Sequence, residues 1–207
     1  MKIAKSILPR LLIPLSFAAA LLSTSAAMAI FEINVGYAGI VSNGSGGNWL
    51  LPSASVSGAY GLQADARLNF PLSDFNFGVR YTNLGLNASS GGQTLAMSNS
   101  CVSGLVGYRF INTFLLLGPV FTYGLVNNGT LQNSAANTGS NTSTASTVSQ
   151  YTAGLEVGIK FPILVAAEVG YGNLSMSGFS NSQTLLGSAT NVSMGGMYGR
   201  ASVGFSF

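Results

Sequence analysis

Between Val56 and Phe70 the chain alternates with period two for fifteen residues. Val56, Gly58, Tyr60, Leu62, Ala64, Ala66, Leu68 and Phe70 form one set; Ser57, Ala59, Gly61, Gln63, Asp65, Arg67 and Asn69 form the other. Alternation of this kind belongs to a strand whose two faces meet different surroundings. The stretch is also longer than the usual strand of about five or six residues. One face is apolar or small, and the other carries two opposite charges. In water the bulky row would be buried and the charges exposed. In lipid the faces exchange roles, and the rest of the chain decides between these two arrangements.

The pattern recurs. Phe31, Ile33, Val35 and Tyr37 alternate with Glu32, Asn34, Gly36 and Ala38. Phe75, Phe77, Val79 and Tyr81 oppose Asn76, Gly78, Arg80 and Thr82. A fourth strand spans about 96–110, with Val102, Val106, Tyr108 and Phe110 against Cys101, Ser103, Leu105, Gly107 and Arg109. A fifth, 114–126, is apolar on both faces; Leu115, Leu117, Phe121 and Tyr123 are its expected outward set, and Pro119 predicts a bulge, since proline cannot donate to a ladder. Tyr151–Phe161, Ile163–Tyr171 and Met197–Phe207 complete eight strands. Polar stretches at 42–52, 87–94, 127–150 and 173–191 read as long loops; short turns fall near Pro71, Asn112 and Pro162. Long and short connections alternate, the asymmetry of a bacterial outer-membrane barrel.

Charge placement selects lipid for the apolar face. Only 6% of residues are charged and mean hydropathy is +0.43, where soluble domains carry about 25% charge. Lys2, Lys5 and Arg10, the apolar run Leu11–Leu22 and Ala27-Met28-Ala29 form a secretory signal, so residues 1–29 are expected to be removed and 30–207 to form the barrel. The formal net charge of +3 comes entirely from those three basic residues. The remainder is neutral and offers no basic patch for nucleic acid. Of its ten charges, nine fall opposite the apolar row: Glu32, Asp65, Arg67, Arg80, Arg109, Glu156, Lys160, Glu168 and Arg200. Asp74 lies in a turn. Arg or Lys facing mid-bilayer costs about 2–4 kcal/mol each, so one-sidedness follows if that row meets lipid. A soluble lipocalin-like barrel would have to bury those charges and expose the apolar rows. A helical membrane protein conflicts with the alternation and with Gly118-Pro119.

Aromatic residues mark two girdles. Phe31, Phe70, Phe75, Phe77, Phe110, Phe114, Phe161, Phe205 and Phe207 lie beside short turns or termini; Tyr81, Tyr123, Tyr151 and Tyr171 lie toward the long loops. Together with the signal, the loop rhythm and the ending Val203-Gly204-Phe205-Ser206-Phe207, these features resemble the small eight-stranded outer-membrane barrels, among them the OmpA transmembrane domain, OmpX and OmpW. The resemblance implies an all-β, antiparallel up-and-down transmembrane barrel in the bacterial outer membrane. It also implies Phe205 and Phe207 as an assembly signal for the barrel-assembly machinery.

The inward charges are the sole ionisable constellation. Eight strands leave an interior just wide enough for side chains, so a lumen network of ion pairs is expected. Counting back from the turn at 71–74 sets Asp65 opposite Arg80. The same count across Pro162 sets Glu156 opposite Glu168, which would require Lys160 or Arg200 as a bridge. The chain has no histidine and one cysteine. Enzymes that resemble this architecture place histidine in their sites, and Cys101 reads as a small lumen residue rather than a nucleophile. No catalytic residue, metal site or cofactor is expected. The expected function is a non-catalytic envelope or surface-interaction role through the loops at 42–52, 87–94, 127–150 and 173–191. The alternative is a narrow, porin-like channel for ions or small solutes.

Overall fold

The computed structural model describes residues 31–42, 58–70, 73–90, 93–135, 139–179 and 191–207. The signal at 1–29, residues 43–52, Val56 and Ser57, Pro71 and Leu72, and residues 180–190 lie outside the described residues. Nine strands follow one another: β1 (Phe31–Ser42), β2 (Gly58–Asn69), β3 (Phe75–Ser90), β4 (Gln93–Tyr108), β5 (Ile111–Asn112), β6 (Leu115–Ala135), β7 (Gly139–Lys160), β8 (Leu164–Phe179) and β9 (Asn191–Ser206). Eight are long. β5 is a two-residue bridge onto β6, where only a turn was expected.

All neighbours are antiparallel. The order runs β4-β3-β2-β1-β9-β8-β7-β6, and pairing of β4 with β6 closes the barrel. The first and last described residues clasp each other: Phe31 N–H donates to the Phe207 carbonyl at 3.1 Å, and Phe207 N–H donates to the Phe31 carbonyl at 2.8 Å. Closure joins the two ends of the sheet, as a backbone in lipid requires.

The barrel wall is turned inside out around its lower half. Ile33, Val35, Leu62, Val79, Val157, Val165 and Val203 are exposed on the outside, while all nine inward charges are buried. At the short-turn end Phe75 packs edge-on to Tyr108, with ring centroids 4.9 Å apart, and Tyr108 to Phe110 at 5.2 Å. Tyr151 and Tyr171 adjoin at 6.4 Å.

Two of the polar stretches expected to be loops are largely strand, and a third begins as one. β3 reaches Ser90 and β4 restarts at Gln93, so 87–94 is a continuous hairpin apart from two residues. β6 runs to Ala135 and β7 starts at Gly139, so most of 127–150 is paired. β8 continues through Phe179, absorbing 173–179. The physical reason is a change of solvent rather than of backbone. Above the apolar belt the outward residues (Asn83, Ser98, Asn128, Gln132, Thr142) are polar because they meet water. The inward ones, Ile40, Leu84, Leu86, Met97, Leu131, Leu174, Met176, Val192 and Met194, form a buried apolar cluster with Tyr198 and Phe179. In this upper tier the sheet has the hydrophobic-in, polar-out pattern of a water-soluble barrel.

The bulge expected at Pro119 lies elsewhere. Pro119 pairs with Leu155 in an unbroken β6–β7 register. On its other side the β4–β6 ladder ends at Gly107↔Val120 and is taken up by β5 at Ile111↔Leu117, so the missing donor falls at a break in pairing. The register shift occurs where Val102 pairs with Val126 and Ser103 with Gly124, leaving Leu125 as the extra residue. Before it Leu116, Val120 and Thr122 face inward; after it Gly129 and Leu131 do. One inserted residue exchanges the faces of everything beyond it.

Candidate functional site: a charged lumen beneath an apolar tier

Each charged side chain is aimed by strand parity. Glu32 projects from β1, Asp65 and Arg67 from β2, Arg80 from β3, Glu156 and Lys160 from β7, Glu168 from β8 and Arg200 from β9. Arg109 sits between β4 and β5, its N–H donating to the Asp74 carbonyl at 2.8 Å. All nine are 0–4% exposed. Asp74, the tenth charge, is on the surface and accepts a hydrogen bond from the Tyr108 hydroxyl at 3.0 Å.

Asp65 and Arg80 are Cα partners, as the turn count required. Arg80 grips the Asp65 carboxylate in a fork, with Nε–Oδ1 at 2.8 Å and Nη2–Oδ2 at 2.9 Å. It makes a second fork to Glu168, at 2.6 and 2.9 Å. Two-pronged contacts of this kind are the strong, directional form of the arginine–carboxylate pair. Arg200 Nη1 adds 2.8 Å to Glu168 and 3.1 Å to Asp65. The Tyr198 hydroxyl accepts from Arg80 at 3.1 Å and donates to Gln63 at 3.0 Å, which joins this node to the apolar tier.

Glu156 and Glu168 oppose each other, also as counted. Their bridge is neither Lys160 nor Arg200 but Arg67, which reaches Glu156 at 2.7 Å and Glu168 at 3.1 Å while also holding Asp65 at 2.7 Å. Hairpin counting sees only partners on adjacent strands, whereas Arg67 crosses the closed lumen from β2. Arg200 contacts Glu168 without spanning to Glu156. Lys160 turns instead to Glu32 at 2.6 Å and to Asn112 at 2.9 Å. Glu32 is also held by a fork from Arg109 at 2.7 and 2.8 Å, and Arg109 extends to Asn69 at 2.9 Å and Glu156 at 3.3 Å. Glu156 thereby links a lower node around Glu32 to an upper node around Asp65 and Glu168.

The two layers lie in series. Between them sit Cys101, with Sγ 3.1 Å from the Ser103 hydroxyl, and the Asn99–Gln150 bond at 2.6 Å. Sequence reasoning missed the apolar layer altogether, yet its signal was present. The inward parity of β3 runs on from Arg80 and Thr82 to Leu84 and Leu86, and that of β8 from Glu168 to Leu174 and Met176. Chemically, each of the four carboxylates is committed to at least two cationic side chains. Among the described residues no group of His, Cys, Asp or Glu could hold a metal ion.

A closed eight-stranded antiparallel barrel, girdled by exposed apolar side chains and lined by charge, belongs to the class of bacterial outer-membrane β-barrels. Among solved structures the chain is similar to Ail, the attachment invasion locus protein of Yersinia pestis, with 13% identity over 87% of this chain and all of that one, at a TM-score of 0.50. It also aligns with Neisserial surface protein A (14% identity, 86% of this chain and 97% of that one, TM-score 0.47) and with OprG of Pseudomonas aeruginosa (11%, 86% and 95%, TM-score 0.39). The likeness to Ail shows a shared fold. No protein-family model matches the chain, and no curated protein does.

Proposed function

We propose that the protein is a non-conducting, non-catalytic barrel that presents its long-side hairpins to the outside, in an envelope-structural or surface-interaction role. The observation that carries this reading is the double closure of the lumen. The nine charges fill the interior at the level of the lipid belt, and the apolar cluster from Ile40 to Tyr198 fills it above. A solute would have to part both, breaking charge-assisted bonds in one and dispersing packed side chains in the other. The surface role is supported by the β6–β7 hairpin. Beyond Tyr123 and Tyr151 both strands continue twelve residues to Ala135 and Gly139, and they pair again from Thr130 and Thr144, which projects roughly 30 Å beyond the belt at the usual rise and tilt. The four lumen carboxylates are all held by arginine or lysine, and the chain has no histidine, which leaves the lumen without a free general base.

The test is single-channel conductance in a planar bilayer, with a heat-modifiable gel shift as the folding control. Folded protein is expected to be electrically silent. Stable conductance steps that change on Asp65→Asn or Arg80→Gln would favour the narrow-channel alternative.

A further inference from the structure

Among the described residues the lumen charges do not balance. Five cations (Arg67, Arg80, Arg109, Lys160 and Arg200) face four carboxylates (Glu32, Asp65, Glu156 and Glu168), all buried. One positive charge is in excess inside a lipid-girdled barrel, where an uncompensated ion is heavily disfavoured. The hydrogen bonds show where compensation is least complete, since Arg109 leaves only its Nε without a partner. Arg200 is 4% exposed and spends only Nη1 on carboxylates. Its Nε and Nη2 are buried and have no partner. Gln63 likewise gives its carbonyl oxygen to Tyr198 and leaves Nε2 buried without an acceptor. These residues flank the same stretch of β1. Gln63 pairs with Gly36, and Arg200 pairs with Ala38, from opposite sides of the strand. Buried donors of an arginine and an amide without an acceptor are costly, and an acceptor set against them would be held.

We propose that the lumen takes up one small monovalent anion of halide type, seated on Arg200 Nε and Nη2 on the inner face of β1. One negative charge neutralises the excess, and a spherical acceptor satisfies divergent donors without a directional lone pair. The apolar tier lies above it and the ion network beside it. The anion is a structural component of the barrel, enclosed when the barrel folds, and it completes a network that the side chains alone leave unbalanced.

The experiment is to extract the full chain in detergent, unfold it, refold it in sodium bromide and crystallise it. The expected result is a single interior anomalous bromide peak in contact with Arg200 Nε or Nη2, at high occupancy, and its replacement by chloride after refolding in chloride. Arg200→Gln, checked for folding by heat-modifiability, should lose the peak; if that variant does not fold, Gln63→Leu should lower its occupancy. Ordered water at both Arg200 atoms with no interior anomalous peak, or bromide on the outer surface only, overturns the proposal.

Discussion

Arg67 touches three carboxylates on three strands, Asp65, Glu156 and Glu168, with no exposed surface of its own. Removing one partner of a buried ion pair costs about 3–5 kcal/mol, and here the loss falls on three carboxylates at once, each left with its remaining arginine contacts. Arg67→Met should therefore lower stability by about that amount in urea unfolding followed by the gel shift. Lys160→Met should have a clearly smaller effect, because Glu32 keeps its fork from Arg109. At this scale the sequence was informative about faces and weak about partners. Every charge lies on the side its parity assigned, and the pairs Asp65–Arg80 and Glu156–Glu168 follow from two turns. The bridge by Arg67 depends on which strands meet across the lumen, and local spacing carries no such information.

The strands change character along their length without changing course. On β3 the outward residues pass from Phe77, Val79 and Tyr81 to Asn83, and the inward ones from Arg80 to Leu84 and Leu86. The boundary between lipid and water is thus written as an exchange of polarity between faces. Reading polarity alone, 87–94, 127–150 and 173–179 look like loops; reading parity, they continue the wall. A charge on the outer face should expose this boundary. Val157→Arg faces lipid and should destabilise by about 2–4 kcal/mol, whereas Gln132→Arg on the protruding hairpin should stay within about 0.5 kcal/mol; urea midpoints of the two variants decide. On β6 the parity itself switches at Leu125, which no residue pattern announces, since the strand is apolar on both faces and Leu125 continues the outward row of Leu115, Leu117, Phe121 and Tyr123. Leu125 is the residue in excess, so deleting it should leave Leu131 opposite Met97 and facing inward, whereas inserting one alanine between Val126 and Asn127 should turn Leu131 to the water side. The hairpin of the insertion variant should become protease-sensitive while the barrel below keeps its heat-modifiability, and the hairpin of the deletion variant should stay resistant. Equal sensitivity of the two variants would mean that register at the bulge does not set the inward face.

As a whole, the molecule is a barrel with two interiors. Below, lipid outside requires the charges inside, and those charges fill the lumen with ion pairs. Above, water outside allows an apolar interior, which packs side chains into the same lumen a second time. Architecture, strand faces and the short-turn girdle were legible because each rests on alternation. The closed upper tier was not, because it arises only when eight separate inward rows are brought together by closure of the barrel. Cys101 reports directly on that closure. It is the one cysteine in the chain, it faces inward, and it lies on β4 just below Met97 of the apolar cluster. The most direct measurement is therefore modification of folded, vesicle-inserted protein with a small charged thiosulfonate, followed by mass spectrometry. A sealed lumen predicts that Cys101 stays unmodified over hours and reacts completely once the protein is unfolded. Rapid modification in the folded barrel would mean that water and solutes reach the lumen, and the account of a doubly closed, non-conducting barrel would be wrong.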